Sequence, residues 1–188
     1  MDEQAGLITL QHYSTIKSEL PVEIINGKVV HGQHKGRRQS IIEHKLLHTL
    51  CRNRLKGSAW RQTAFLIEEQ GNAIIMLYVP DIAYVSRTKI DAYLAQYGDS
   101  DDPWRLIPDI AVEVVSPNDT YSEINRKIAD YLHYGVSLVW VIDPQLKTVR
   151  VHTPADPDGY TLQLQDTLTG TPVLPDWSMP IAELLTTA

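Results

Sequence analysis

A single cysteine, Cys51, leaves this chain unable to close an internal disulfide, which fits a reducing compartment. No segment approaches the roughly 18 apolar residues that a membrane-spanning helix needs. The opening Met1-Asp2-Glu3-Gln4 lacks the basic start and apolar stretch of a secretory signal. A cytoplasmic protein with no membrane partner is therefore expected. Nor is there an excess of positive charge. A net charge of −6 disfavours nonspecific coating of nucleic acid. Gly-x-Ser-x-Gly, P-loop and dinucleotide fingerprints are all missing, so acyl transfer, NTP hydrolysis and hydride transfer lack a sequence basis. No low-complexity tract or long linker divides the chain. With 188 residues, 43% hydrophobic and 21% charged, residues 1–188 read as one domain with a sizeable core.

Charge is unevenly spread. From Lys28 to Arg61 the chain carries nine Lys or Arg against one acid, Glu43. From Asp99 to Asp143 nine acids face only Arg105, Arg126 and Lys127. A basic flank beside an acidic centre suits a metal-dependent enzyme acting on a polyanion. Two solvated surfaces of different sign would give the same pattern.

The elements follow from periodicity and turn residues. Asn26-Gly27 between Val22–Ile25 and Lys28–Val30 signals a hairpin. Residues 38–56 read as a helix with Ile41, Ile42, Leu46, Leu47, Leu50 and Leu55 along one stripe, ended by Gly57-Ser58. Strands are expected over 64–68, 73–77 and 82–85, then a surface excursion over 86–107 with a short helix near 90–97. The apolar run Ile110–Val115 reads as a strand buried on both faces. Thr120-Tyr121-Ser122-Glu123 opens a helix that Gly135 ends, and a second buried strand follows at 137–142. Strand, helix, strand implies a parallel pair with a crossover. Asp143-Pro144 turns the chain into 148–152, and Asp156-Pro157-Asp158-Gly159 makes a turn before 160–164. The expected class is α/β or α+β, with a mixed sheet.

Glu113 is the anomaly in this pattern, a carboxylate inside Ile110-Ala111-Val112-Glu113-Val114-Val115. Burying a lone carboxylate costs several kcal/mol unless a cation or strong donors compensate. A metal, a lysine or both should meet it, or else a structural salt bridge. Pro80-Asp81-Ile82-Ala83 echoes Pro108-Asp109-Ile110-Ala111, and each Pro-Asp leads into an apolar strand. That echo has a structural reading, the start of a strand. Its functional reading joins one Asp to Glu113 as hard-oxygen ligands of Mg²⁺ or Mn²⁺. Lys127 lies beside the apolar stripe of Ile124, Ile128, Tyr131 and Leu132, close enough for its stem to reach the sheet end. As a plain alternative it is a solvated helix lysine. His44 and His48 sit i,i+4 but lack the interior Glu of a His-Glu-x-x-His zinc site. Trp60, Trp104, Trp140 and Trp177 are scattered and read as packing residues.

The ordered set of Val22-Glu23-Ile24-Ile25-Asn26-Gly27-Lys28-Val29, Pro80-Asp81, Pro108-Asp109-Ile110-Ala111-Val112-Glu113-Val114-Val115-Ser116-Pro117-Asn118, Lys127, Tyr131, Gly135-Val136 and Trp140-Val141-Ile142-Asp143-Pro144 resembles the Uma2 family. That family belongs to the restriction-endonuclease-like PD-(D/E)xK superfamily, and the resemblance covers most of the chain. It implies a mixed sheet flanked by helices and metal-dependent hydrolysis of phosphodiester bonds. Carried over, Asp81 matches the first acidic ligand and Glu113 the acid of the E-x-K motif, with the Val114 carbonyl completing the metal sphere. The E-x-K lysine position holds Val115, so the resemblance assigns the amine to Lys127 on the next helix. Glu43 matches an optional helical acid that helps hold a second metal or water. Where the family often has a histidine at the start of this helix, Gln39 or Ser40 stands here.

The expected function is a Mg²⁺- or Mn²⁺-dependent endonuclease. Asp81, Glu113 and Lys127 would be catalytic, and Asp81, Glu113 and Val114 would bind the metal. Lys35, Arg37 and Arg38 begin the basic stretch, ending at Arg61, that would contact phosphates. The partner is nucleic acid, DNA ahead of RNA, and a homodimer is expected by analogy. Two rivals stand beside this reading: a catalytically silent binding or regulatory protein on the same fold, and a hydrolase of smaller phosphate esters.

Overall fold

The computed structural model describes residues 7–16, 18–52 and 56–186. Met1-Asp2-Glu3-Gln4, Arg54 and Leu55, all used in the sequence reading, lie outside the described residues. A short helix α1 (Leu10–Thr15), whose His12 amide donates to the Thr9 hydroxyl, leads into the hairpin β1 (Val22–Ile25) and β2 (Lys28–His31). Its turn residues take the left-handed backbone that Asn-Gly favours, with φ 51° at Asn26 and 72° at Gly27. Then come α2 (Arg37–Leu50), β3 (Gly57–Arg61), β4 (Phe65–Gln70), β5 (Ala73–Tyr78), β6 (Ile82–Ser86) and α3 (Arg87–Tyr97). The second half comprises β7 (Ile110–Val114), α4 (Tyr121–His133), β8 (Leu138–Asp143), β9 (Thr148–Thr153), β10 (Asp156–Leu162), β11 (Thr167–Gly170), β12 (Leu174–Pro180) and α5 (Ile181–Leu185).

The described residues form three sheets, ordered β2-β1-β5-β4, β10-β9-β8-β7-β6-β3 and β11-β12. In the six-stranded sheet β7 and β8 pair in parallel, Glu113 opposite Val141, and the other neighbours are antiparallel. This is the mixed sheet flanked by helices that the sequence implies.

Side chains alternate across β7, and the two faces have different covers. Ile110, Val112 and Val114 pack with Ile42, Leu46 and Leu50 of α2 and Leu184 of α5. Ala111, with Val139 and Val141 of β8, faces Ile124, Ile128 and Tyr131 of α4. Alternation therefore turns Glu113 toward α4. The α4 start is fixed by a reciprocal cap, in which Thr120 accepts from Glu123 N while the Glu123 carboxylate accepts from Thr120 N. That cap sets which α4 residues overhang the strand end.

The structure departs from the sequence reading in several places. Helix α2 ends at Leu50 rather than near residue 56, and Gly57 begins β3. A Cβ on Gly57 would lie 2.3 Å from the Tyr84 hydroxyl and 2.4 Å from the Val85 carbonyl, so glycine here serves a close strand pairing. Asp156-Pro157-Asp158-Gly159 is built into β10 across a register shift instead of forming a turn before it. Helix α1, strands β3, β11 and β12, and helix α5 were not anticipated. The tryptophans pack as expected: Trp60 with Trp104 and Trp140 with Trp177, centroids 5.1 and 5.2 Å apart.

Candidate functional site

Asp81 immediately precedes β6 and Val114 ends β7, two neighbouring strands. The buried Asp81 carboxylate accepts from the Val114 amide at 2.7 Å. Its Oδ2 also accepts from Lys35 Nζ at 2.8 Å, and that ammonium donates to the Val114 carbonyl at 3.1 Å. Lys35 thus joins the two groups that the resemblance assigns to a metal. Asp109, the echo of Asp81, does something else. It accepts from the Ser86 amide at 2.7 Å and pairs with Lys89 at 2.8 Å, bracing the start of α3.

Glu113 is 5% exposed and turned toward α4 as its strand position requires. The Tyr131 hydroxyl donates to its Oε1 at 2.7 Å, and Lys127 Nζ approaches its two oxygens at 3.3 and 3.4 Å. Lys127 lies closer to a residue the sequence reading passed over. Glu23 of β1, also 5% exposed, accepts from Lys127 at 2.9 Å and from the Val79 amide at 3.1 Å. The signal was available, because Val22-Glu23-Ile24-Ile25 holds an acid in an apolar strand just as Glu113 does. The second missed member is the Tyr131 hydroxyl: the sequence marks Tyr131 as part of a packed stripe and of the family resemblance, and neither assigns its hydroxyl a role.

Burial pushes the Glu113 carboxyl well above the usual carboxylate range; Lys127 opposes this, while Asp81 and Glu23 add to it. Burial alone would pull Lys127 down, yet the two glutamates outweigh it and hold the ammonium above the ordinary lysine range. Lys35 follows the same logic, with burial lowering it and Asp81 raising it further. Both lysines are therefore charged at neutral pH. Glu23, Lys35, Asp81, Glu113 and Lys127 line one cavity of about 90 Å³, together with Asp119 and Arg126.

Glu43 reaches the same region from α2 and is completely buried. Arg61 Nε lies 2.9 Å from its Oε2. The approach is not aimed along an N–H, so neither carboxyl oxygen has a hydrogen-bond partner among the described residues. We take this as a charge contact rather than a hydrogen bond. Burial first, and Asp81 second, push the Glu43 carboxyl up to about 7 despite Lys35 and Arg61. Gln39, at the position where the family often has histidine, is buried with its amide 3.5 Å from the Val115 carbonyl.

The basic stretch does not form one surface. Lys35 points into the cavity, Lys45 donates to the Glu183 and Thr186 carbonyls at the end of α5, and Lys56 pairs with Asp176. Arg61 serves Glu43. Arg37 and Arg38, in the first turn of α2, are exposed and have no ion-pair partner among the described residues. His44 and His48 are likewise exposed on α2.

Among the described residues no three His, Cys, Asp or Glu side chains gather into a ready metal cage. Lysines stand between the acids instead. The donors nevertheless fit a hard divalent ion: Asp81 Oδ2 and the Val114 carbonyl converge on one cation, the Lys35 ammonium, and both Glu43 oxygens lack a hydrogen-bond donor among the described residues. No helix of the described residues is long and apolar enough to cross a membrane.

The fold is shared with a solved structure described as a putative nuclease belonging to DUF820, from Anabaena variabilis. The two chains are 19% identical, with a TM-score of 0.77 over 95% of this chain and 97% of that one. None of the curated proteins is similar to the chain. The profile of the Uma2 family, described as "Putative restriction endonuclease", matches residues 9–182, nearly the full length of the sequence, and the chain belongs to that family.

Proposed function

We propose that the protein is a Mg²⁺- or Mn²⁺-dependent endonuclease hydrolysing phosphodiester bonds, with DNA its expected substrate. One observation carries this reading: Glu23 of β1, Asp81 at the start of β6 and Glu113 of β7 line one small cavity with the helix lysine Lys127, and the Val114 carbonyl shares the Lys35 ammonium with Asp81. Asp81, Glu113 and the Val114 carbonyl would hold the ion. When bound, the ion supplies Lewis acidity, acidifying water and offsetting phosphate charge. Lys127, charged and fixed between Glu23 and Glu113, stabilises negative charge developing on the phosphate. Tyr131 orients Glu113, and Glu43, with a carboxyl raised to about 7, can take or give a proton near neutral pH. Arg37 and Arg38 contact the backbone of the nucleic acid, one domain acts per strand in a homodimer, and the protein works in the cytoplasm.

A second reading draws on the lysines that stand between the acids, an arrangement that neutralises them without a metal. On that reading the protein is a catalytically silent nucleic-acid-binding or regulatory module. Supercoiled plasmid and short DNA and RNA strands, incubated with Mn²⁺, Mg²⁺ or EDTA, separate the two. The nuclease cuts with metal and loses cutting in Glu113→Gln and Lys127→Ala. Cutting that survives Glu113→Gln refutes this site, and no cutting with any metal or substrate favours the silent module.

A further inference from the structure

We infer that the Lys35 ammonium fills the position of the divalent ion, and that the ion enters by displacing it. The inference rests on the metal-site reading above and goes beyond it, because Lys35 belongs to neither the acids nor the amine of that site. Lys35 Nζ lies 2.8 Å from Asp81 Oδ2 and 3.1 Å from the Val114 carbonyl, and its side chain is only 15% exposed. A surface lysine reaching for phosphate would not be packed against one carboxylate and one carbonyl. The Asp81 oxygen that takes the ammonium also accepts from the Val114 amide, so Lys35 sits where this carboxylate and the end of β7 meet.

Charge favours exchange over simple addition. Counted as ionised groups, Glu23, Asp81 and Glu113 at the buried end of the cavity bring three negative charges and Lys35 and Lys127 two positive ones, while Glu43 is offset by Arg61. A divalent ion added beside both lysines leaves an excess of positive charge in a poorly solvated space. The same ion exchanged for the Lys35 ammonium leaves that end neutral. The anchoring of the two lysines differs accordingly. Lys127 is held on α4 between two glutamates, whereas Lys35 hangs from residues 32–36, which belong to no helix or strand. Its flexible four-carbon stem can withdraw without breaking a backbone hydrogen bond of either neighbouring element. In the metal-free protein the lysine keeps the acids neutralised, and the ion must compete with it.

Titration calorimetry with Mn²⁺ alone tests this on the full chain, using wild type, Lys35→Met and Asp81→Asn. Lys35→Met keeps the stem and removes the competing charge, so it should bind Mn²⁺ about tenfold or more tightly than wild type. Asp81→Asn should abolish the binding. Equal or weaker binding by Lys35→Met, with binding still lost in Asp81→Asn, overturns the exchange and leaves the metal site standing. No Mn²⁺ binding by wild type or Lys35→Met overturns both. Reductive methylation of the wild type, mapped by mass spectrometry, decides the matter should Lys35→Met not fold. Lys35 should be modified faster with Mn²⁺ than with EDTA, and equal rates refute its release.

Discussion

The Lys127 ammonium stands 2.9 Å from a carboxylate oxygen of Glu23, closer than to either oxygen of Glu113. One cation therefore ties the hairpin strand β1 to the end of β7 across α4. Removing one partner of a buried ion pair leaves an uncompensated charge, typically at a cost of about 3–5 kcal/mol. Lys127→Met strips both glutamates of their cation and is expected to fall in that range at pH 8. The cost should shrink at pH 5. Glu113 in the fold titrates above its ordinary 4.5, so the native state binds its proton more readily than the unfolded chain. Stability drawn from that group falls as pH rises above 4.5, and falls further once Lys127 no longer opposes the shift. Urea unfolding of both proteins at the two pH values checks this; an equal loss at each would be against it.

Tyr131 makes the shortest contact to Glu113, and the hydroxyl favours the charged carboxylate. Tyr131→Phe keeps the ring that packs at 5.1 Å from Tyr78 and removes only that donor. A loss of about 1–2 kcal/mol in stability is expected. The sharper readout is kinetic. With its donor gone, Glu113 needs a higher pH to ionise, so the acid limb of Mn²⁺-dependent cleavage should move upward while the plateau changes little. A uniform drop across the profile would instead assign Tyr131 a packing role.

Much of this arrangement is legible in the sequence. A glutamate in an apolar strand predicts burial with compensation, and the capped helix after it predicts where Lys127 will reach. The same reasoning applied to Val22-Glu23-Ile24-Ile25 would have found Glu23, but a four-residue strand beside an Asn-Gly turn reads first as a half-exposed hairpin. Lys35 was beyond reach for a different reason. Its neighbours Arg37 and Arg38 suggest a solvated basic patch, and only the path of residues 32–36 over the sheet end turns Lys35 inward. Arg61 was lost because β3 itself was: five residues with glycine and serine at their start carry little strand propensity, and pairing with β6 supplies what propensity does not. The strands β11 and β12 likewise depend on tertiary contacts, through Leu168 and Met179 in the core.

Glu43 supplies a test of burial without a hydrogen-bond partner. Its carboxyl is raised to about 7 in the fold against an ordinary 4.5, and the group is wholly buried. Below about pH 4.5 it is protonated both folded and unfolded and contributes nothing to the pH dependence. Between 4.5 and 7 the unfolded chain ionises first, so stability falls with rising pH, by about 3 kcal/mol in the limit. Glu43→Gln cannot ionise and should lose this slope: near pH 4.5 the two proteins differ least, and at pH 8 the variant gains relative to wild type. Thermal or urea melts at both values measure it. A variant that keeps the wild-type slope would assign the pH dependence to Glu113 alone.

Arg37 and Arg38, without an ion-pair partner among the described residues, are exposed in the first turn of α2 just past the loop that delivers Lys35. A phosphate neutralised by each should appear as counterion release, with the slope of log affinity against log salt falling by about 0.9 for each phosphate no longer neutralised. The double variant Arg37→Ala with Arg38→Ala should therefore bind duplex DNA more weakly at 50 mM salt. Its slope should be shallower by nearly two, and the difference from wild type should narrow toward 200 mM. Since neither side chain packs in the core, the melting temperature should hold within what surface substitutions usually cost, about 0.5 kcal/mol. Fluorescence anisotropy across the salt range separates this from indirect damage. Parallel slopes with weaker binding would mean the helix start was disturbed while the phosphates stayed neutralised, and unchanged binding would move the nucleic-acid path away from α2.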